Sequence, residues 1–169
     1  MIELTQRLKS PASDTRIAAC LALPFELRQK SRLRTQLDNG EDVWLTLPRG
    51  EVVRGGDLLV ASDGRIVQIL AQPEHLLHVE CETPLALARA AYHLGNRHVP
   101  VQVGAGFLRL SEDHVLEQML RGLDVQVTRL EAPFEPEAGA YGTHSHDHAP
   151  RGEAHKAGRI HEYGNAGRS

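Results

Sequence analysis

Ten of the 169 residues are histidines, and none of them lies within residues 1–71. His144-Ser145-His146-Asp147-His148 sets three imidazoles at alternate positions of one short segment. Imidazole is a ligand for Zn, Cu, Fe and Ni, and a short His-rich tract reads as metal-binding. The competing reading is a solvated polar tail or an expression tag, but a tag is normally an unbroken run. His98 stands in Gly95-Asn96-Arg97-His98-Val99-Pro100, between a helix end and a strand start. One imidazole does not hold a transition metal, because structural sites take about four donors and open sites about three. A two-fold axis at His98 would supply a second copy, since isologous contacts pair a residue with itself. Otherwise a lone loop histidine is structural or solvated. His93 falls in a last helical turn, where a cation suits the helix dipole. His114 lies close to Glu112 and Glu117, which is either a weak metal pairing or ordinary surface charge. His161 is a further ligand or nothing. His78 and Cys81 are separated by an odd number of strand positions, so they face opposite sides and make a poor pair. No Walker A sequence, G-x-S-x-G, H-E-x-x-H or Ser-His-Asp constellation is present, so nothing in the chain asks for catalysis.

The composition narrows the classes around that chemistry. The formal net charge is -3, whereas a nucleic-acid binder usually carries a basic excess. No apolar run approaches the ~20 residues needed to span a bilayer, and the first residues, Met1-Ile2-Glu3-Leu4, open no apolar signal core. Two cysteines make no disulfide framework. A cytoplasmic protein with reduced thiols is expected, with neither nucleic acid nor membrane as partner.

The elements that must position the histidines fall into three parts. Residues 1–71 read as all-β. Leu33, Thr35 and Leu37 alternate up to the turn Asp38-Asn39-Gly40. Val43-Trp44-Leu45, Val52-Val53, Leu58-Leu59-Val60 and Ile66 to Leu70 continue the strand–turn rhythm, which suits a small sandwich or barrel. Arg28, Lys30, Arg32 and Arg34 form a basic stretch, read as a solvated strand edge or a partner-docking strip. Ala71-Gln72-Pro73 reads as a linker. Residues 74–134 then change period. Leu77, Val79 and Cys81 mark a strand. Thr83-Pro84 starts a helix that Gly95 ends. Val101 and Val103, then Leu108 and Leu110, mark two strands about a glycine turn. Ser111 caps a second helix with the stripe Val115, Leu116, Met119, Leu120 and Leu123, and Val125 and Val127 form a last strand. The order β-α-β-β-α-β is the ferredoxin-like split βαβ, with two helices on one sheet face and the other face free. Residues 135–169 carry few apolar residues and are expected to be a flexible, disordered His-containing tail. The fold class expected is α+β.

Several motifs follow in an order that resembles one family. Leu47-Pro48-Arg49-Gly50 and Arg54-Gly55-Gly56-Asp57 occur in the first part. Tyr92-His93-Leu94-Gly95-Asn96-Arg97-His98 with Val99-Pro100 occurs in the second. Phe134-Glu135-Pro136-Glu137-Ala138-Gly139-Ala140-Tyr141 and a His-rich end close the chain. From about Leu23 onward the sequence strongly resembles the UreE urease accessory proteins, a family of nickel metallochaperones. The resemblance implies a β domain for peptide or partner contact, a ferredoxin-like metal domain, and a homodimer joined through the metal domains. It places His98 at the family's interface nickel ligand, and His144, His146 and His148 in its terminal His-rich segment. It implies Ni(II) as cargo, delivered to urease apoprotein through an assembly complex with an accessory GTPase. Zn(II) or Cu(II) would compete in vitro. The chain departs from the pattern at Glu112, where some members carry a second histidine. Its five tail histidines are fewer than in the longest members. Two other readings stand beside this one: a general Zn, Cu or Co binding or storage protein, and an interaction module whose tail is incidental.

Overall fold

The computed structural model describes residues 2–138. The first 71 residues supply six strands and one short helix: β1 (Ile2–Arg7), β2 (Ile17–Leu23), α1 (Phe25–Arg28), β3 (Arg32–Gln36), β4 (Asp42–Thr46), β5 (Leu58–Ala61) and β6 (Ile66–Ala71). They form one sheet in the order β2-β6-β5-β1-β4-β3. Alternate residues of β4, β5 and β6 point inward and meet Leu4 of β1 and Leu21 of β2, so Leu4, Leu21, Val43, Leu45, Leu59 and Ile69 are completely buried together. Gly40 and Gly64 close the turns after β3 and β5 at φ 82° and 85°, a region that glycine enters at little steric cost.

Three expectations for this part are corrected. Val52-Val53 is not a strand; it lies in the loop before β5, with Val53 buried in the core. The basic stretch is not uniformly solvated. Arg32 and Arg34 do lie exposed on the outermost strand, but Arg28 is 0% exposed. Its neighbours explain this, because four acceptors surround its guanidinium: the carbonyls of Leu23, Val53 and Phe134 and the Glu135 carboxylate. Ala71-Gln72-Pro73 is barely a linker either. β6 pairs as far as Ala71 with Leu23, and the next strand is paired from Pro73 onward, leaving Gln72 alone between them.

The second part runs β7 (Pro73–Glu80), α2 (Pro84–Gly95), β8 (Gln102–Gly104), β9 (Phe107–Ser111), α3 (His114–Arg121) and β10 (Gln126–Pro133). Its four strands form a second sheet in the order β10-β7-β9-β8, with every neighbouring pair antiparallel. Leu77, Val79, Leu108, Leu110 and Val127 face the two helices and bury against Ala90, Leu94 and Leu120. Thr83 caps α2 by accepting from the Ala86 amide at 3.1 Å, with Pro84 behind it.

The opposite sheet face is not left wholly free. Leu76, Leu130 and Ala132 on that face pack with Phe25, Val52 and Phe134, and Phe25 meets Phe134 edge-on at 5.5 Å. The first part therefore covers one end of this sheet, because a row of apolar side chains there has no helix to bury it. The other end carries His78, Phe107 and Arg109. The His78 ring lies 5.0 Å from the Phe107 ring, and His78 Nδ1 accepts from Arg109 Nε at 3.2 Å.

The start of α3 is also corrected. Ser111 ends β9, paired with Leu76, and Asp113 is the cap, with Oδ1 accepting from the Val115 and Leu116 amides at 2.8 Å each. Both residues are good caps in isolation, and the strand ladder claims the serine. Asp113→Ala should cost about 1 kcal/mol, the usual loss for an N-cap. Urea unfolding checks this, and an unchanged midpoint would show that α3 does not depend on its cap.

Candidate metal centre

Helix α2 ends through a histidine rather than a glycine. Gly95 was expected to turn the chain, but it stays helical, and His98 is the residue that takes the left-handed conformation, at φ 54°. The amides of Arg97 and His98 donate to the carbonyls of Leu94 and Gly95 at 3.0 Å, and Val99 N reaches Leu94 O at 3.4 Å. These bonds close the helix end and hold the His98 backbone. A side chain in this region costs on the order of 1–3 kcal/mol and survives where its surroundings over-determine it. Pro100 follows and prevents any return to helix. The His98 side chain is exposed.

A groove of about 450 Å³ lies beside His98. Val99, Pro100 and Val103 line one wall, Phe25 and Gln29 another, and Glu137 and Ala138 a third. The last described residues thus pass His98 before the chain runs on to its histidine-rich end. That course is tied down. The Glu137 amide donates to Val101 O at 2.8 Å, and the Glu135 amide to Gln102 Oε1 at 3.1 Å. The Glu135 carboxylate accepts from Arg28 at 2.7 Å, from the Gly55 amide at 2.7 Å and from Arg54 at 3.1 Å. Arg28 donates further to the carbonyls of Phe134, Leu23 and Val53, and Arg54 to that of Pro136. Residues 135–137, expected to be loose, are therefore held. This lock gave no local signal in the sequence, because Arg28 and Glu135 are 107 residues apart.

The other histidines are dispersed. His93 is half-buried in the last turn of α2, with the exposed Tyr92 ring edge-on at 5.5 Å and its carbonyl accepting from Arg97 at 2.9 Å. His114 is exposed as the first residue of α3. Its two candidate partners are engaged elsewhere. Arg129 meets Glu112 at 2.7 Å and Glu117 at 2.7 Å, and Arg121 also meets Glu117. The Arg129 and then the Arg121 hydrogen bonds hold the Glu117 carboxyl below its usual range. A metal at His114 would have to displace an arginine from that carboxylate. Cys81 lies in the core, where burial pushes its thiol up, so it is no ready thiolate ligand. Among the described residues, no three histidine, cysteine or carboxylate side chains come together as a metal shell. His144, His146, His148 and His161 lie outside the described residues.

Residues 2–72 match a family model described as the N-terminal domain of the UreE urease accessory protein, and residues 74–164 match the model of its C-terminal domain. The chain is 58% identical over 153 residues to the urease accessory protein UreE of Cupriavidus necator, covering 88% of this chain and 80% of that one. It is 54% identical over 142 residues to the protein of the same name from Alkalilimnicola ehrlichii, covering 84% and 85%. With the protein from Nitrosospira multiformis it shares 48% over 158 residues, covering 92% and 88%.

Proposed function

Because the chain belongs to the UreE family of urease accessory proteins, we propose that it is a nickel metallochaperone that hands Ni(II) to urease apoprotein during active-site assembly. The observation that carries this reading is His98: an exposed imidazole on a locked turn, beside a groove that the last described residues, Glu137 and Ala138, also line. Among the described residues of one chain it lacks the company that a metal shell requires. Two sources can complete the shell. A second copy brings a second His98, and the tail brings His144, His146 and His148. Five residues separate Ala138 from His144, and the six steps of chain at ~3.3 Å each span at most roughly 20 Å, enough to return over His98.

A homodimer through α2 fits the surface. Leu85, Ala88 and Tyr92 form an exposed stripe at helical spacing, with Leu85 62% and Tyr92 66% exposed, and the stripe leads directly to the His98 turn. The connectivity β-α-β-β-α-β and the strand order of the second sheet support reading residues 74–134 as a ferredoxin-like metal domain. Residues 1–71, free of histidine, then serve partner contact, with the exposed Lys30, Arg32 and Arg34 at the sheet edge available to an assembly complex that includes an accessory GTPase. No helix among the described residues is long and apolar enough to cross a membrane, which suits a cytoplasmic role. A donor of this kind must collect the ion and also lose it. A shell of imidazoles from separate segments does both, because each segment can leave in turn as an acceptor's ligands arrive. No catalytic step is needed.

Delivery is tested with apo-urease and its assembly GTPase complex in the presence of a nickel chelator. The Ni(II)-loaded chain should activate urease where Ni(II) and chelator alone do not, and His98→Ala should remove that advantage. Equal activation with and without the chain would overturn the reading.

A further inference from the structure

We propose that Trp44 and the exposed cations Lys30, Arg32 and Arg49 form a docking surface for a carboxylate-rich segment of a partner protein. The proposal rests on the reading of residues 1–71 as the partner-contact part and names the chemistry of that partner. β4 buries Val43 and Leu45 completely, so the pleat turns Trp44 to the outer face of the first sheet, where it is 39% exposed. Trp44 is the chain's single tryptophan. Arg34 on β3 and Glu3 on β1 flank it in the strand register. Among the described residues no other ring or guanidinium stacks on the indole. An indole N–H only donates, which matches a carboxylate oxygen.

The cations gather at one end of the same face. β3 is the outermost strand of the sheet, and Arg32 on it pairs with Thr46, which makes it the diagonal neighbour of Trp44, roughly 7–8 Å away and within reach of long side chains. The Leu47 amide donates to the Ser31 carbonyl at 2.8 Å. Lys30 and Arg49, both exposed, lie just beyond that bond on the two chains. Among the described residues none of these three cations comes within ion-pair distance of a carboxylate, whereas Arg34 is held by Asp42 at 3.1 Å. A large apolar ring and uncompensated positive charge thus share one surface of a chain whose net charge is -3. A second copy is a poor occupant, because it would set like charges face to face. A nucleic-acid backbone typically draws on about 6–10 phosphate contacts, a longer track than these cations offer. An acidic protein segment is matched on both counts, with carboxylates on the cations and an apolar side chain on Trp44. Aromatic anchors ringed by polar contacts carry most of the energy of such interfaces.

A single tryptophan at the surface makes its emission a direct reading of occupancy. The full chain is titrated with a synthetic peptide rich in glutamate and leucine and lacking tryptophan. A saturable change in Trp44 emission is expected. The triple change Lys30→Glu, Arg32→Glu and Arg49→Glu should weaken the peptide about tenfold, since each exposed attraction becomes a repulsion. Emission that does not respond, or responds equally in the charge-reversed chain, would overturn the proposal. A single-stranded oligonucleotide that binds as tightly as the peptide would also overturn it, because the surface would then accept any polyanion. The purified urease assembly complex with its GTPase supplies the second arm. Trp44→Ala should weaken its binding to the chain about thirtyfold, the loss typical of an aromatic anchor, and leave Ni(II) titration unchanged. Should Trp44→Ala fail to fold, the charge-reversed chain carries this arm, with a loss of about tenfold expected as for the peptide. Complex binding that the substitutions leave intact would overturn this proposal and leave the delivery reading standing. A wild-type chain that does not bind the complex would overturn both.

Discussion

Replacing His98 by alanine should abolish the tight metal site while leaving the protein folded and dimeric. In the proposed dimer symmetry makes the effect large, since one substitution would remove two ligands from a shared ion. Structural zinc sites bind with about 10–16 kcal/mol over four ligands, roughly 3 kcal/mol each. Even half that value, lost twice, weakens binding about a hundredfold. In the proposed shell the remaining imidazoles would be those of His144, His146 and His148, and any chain ordered in order to ligate costs about 1–2 kcal/mol per residue. His98→Gly sharpens the test. Glycine enters the left-handed region at little steric cost, and His98 sits there at φ 54°, so the glycine variant should unfold no earlier than the alanine variant. Both should lose the ion. A metal site that survives either change would show that His98 is a turn residue only. Early unfolding of the glycine variant would show that the imidazole supports the turn.

Replacing Arg28 by alanine should destabilise the protein by about 3 kcal/mol, the range seen when one partner of a buried ion pair is removed. Arg28 is 0% exposed and satisfies the carbonyls of Leu23, Val53 and Phe134 as well as the Glu135 carboxylate. Most of the loss comes from the carbonyls of Val53 and Phe134, which lose this donor, whereas that of Leu23 keeps the Gln72 amide at 3.0 Å. Glu135 suffers less, because it is 31% exposed and keeps Arg54 and the Gly55 amide. Arg28→Lys should not rescue the variant, since an ammonium cannot present the planar fork that reaches several acceptors at once. With urea slopes of about 1–3 kcal/mol per molar, the unfolding midpoint should fall by about 1 M or more. A shift of a few tenths of a molar, or full rescue by lysine, would contradict the account of this junction.

The parts of the fold that were legible in the sequence are those decided locally. Thr83-Pro84 starts α2 because a cap and a first-turn proline act within four residues, and the alternation of Leu77, Val79 and Cys81 reports one buried face of β7. The readings that failed were decided by distant partners. Ser111 lost the cap of α3 to Asp113 because its backbone pairs with Leu76 on β7. Gly95 is a natural helix stop, yet the left-handed turn falls on His98, where the Leu94 and Gly95 carbonyls and Pro100 leave the chain no other course. β1 and β2 carried little alternation, since β1 buries only Leu4 completely and β2 is rich in alanine. Arg28 looked like one charge in a surface run, and only the fold brings Glu135 to it. The candidate metal residues were legible by type and by family resemblance. Their assembly was not, because no single chain brings enough of the described ones together.

The central claim is that one tight ion is shared across two chains at His98. Calorimetric titration of the purified full-length protein with Ni(II), with its oligomeric state measured in the same buffer, tests it most directly. The account predicts a dimer whose tightest site fills at one ion per two chains, and which disappears in His98→Ala. A tightest site that fills at one ion per chain, with the same affinity in the His98→Ala variant, would contradict it.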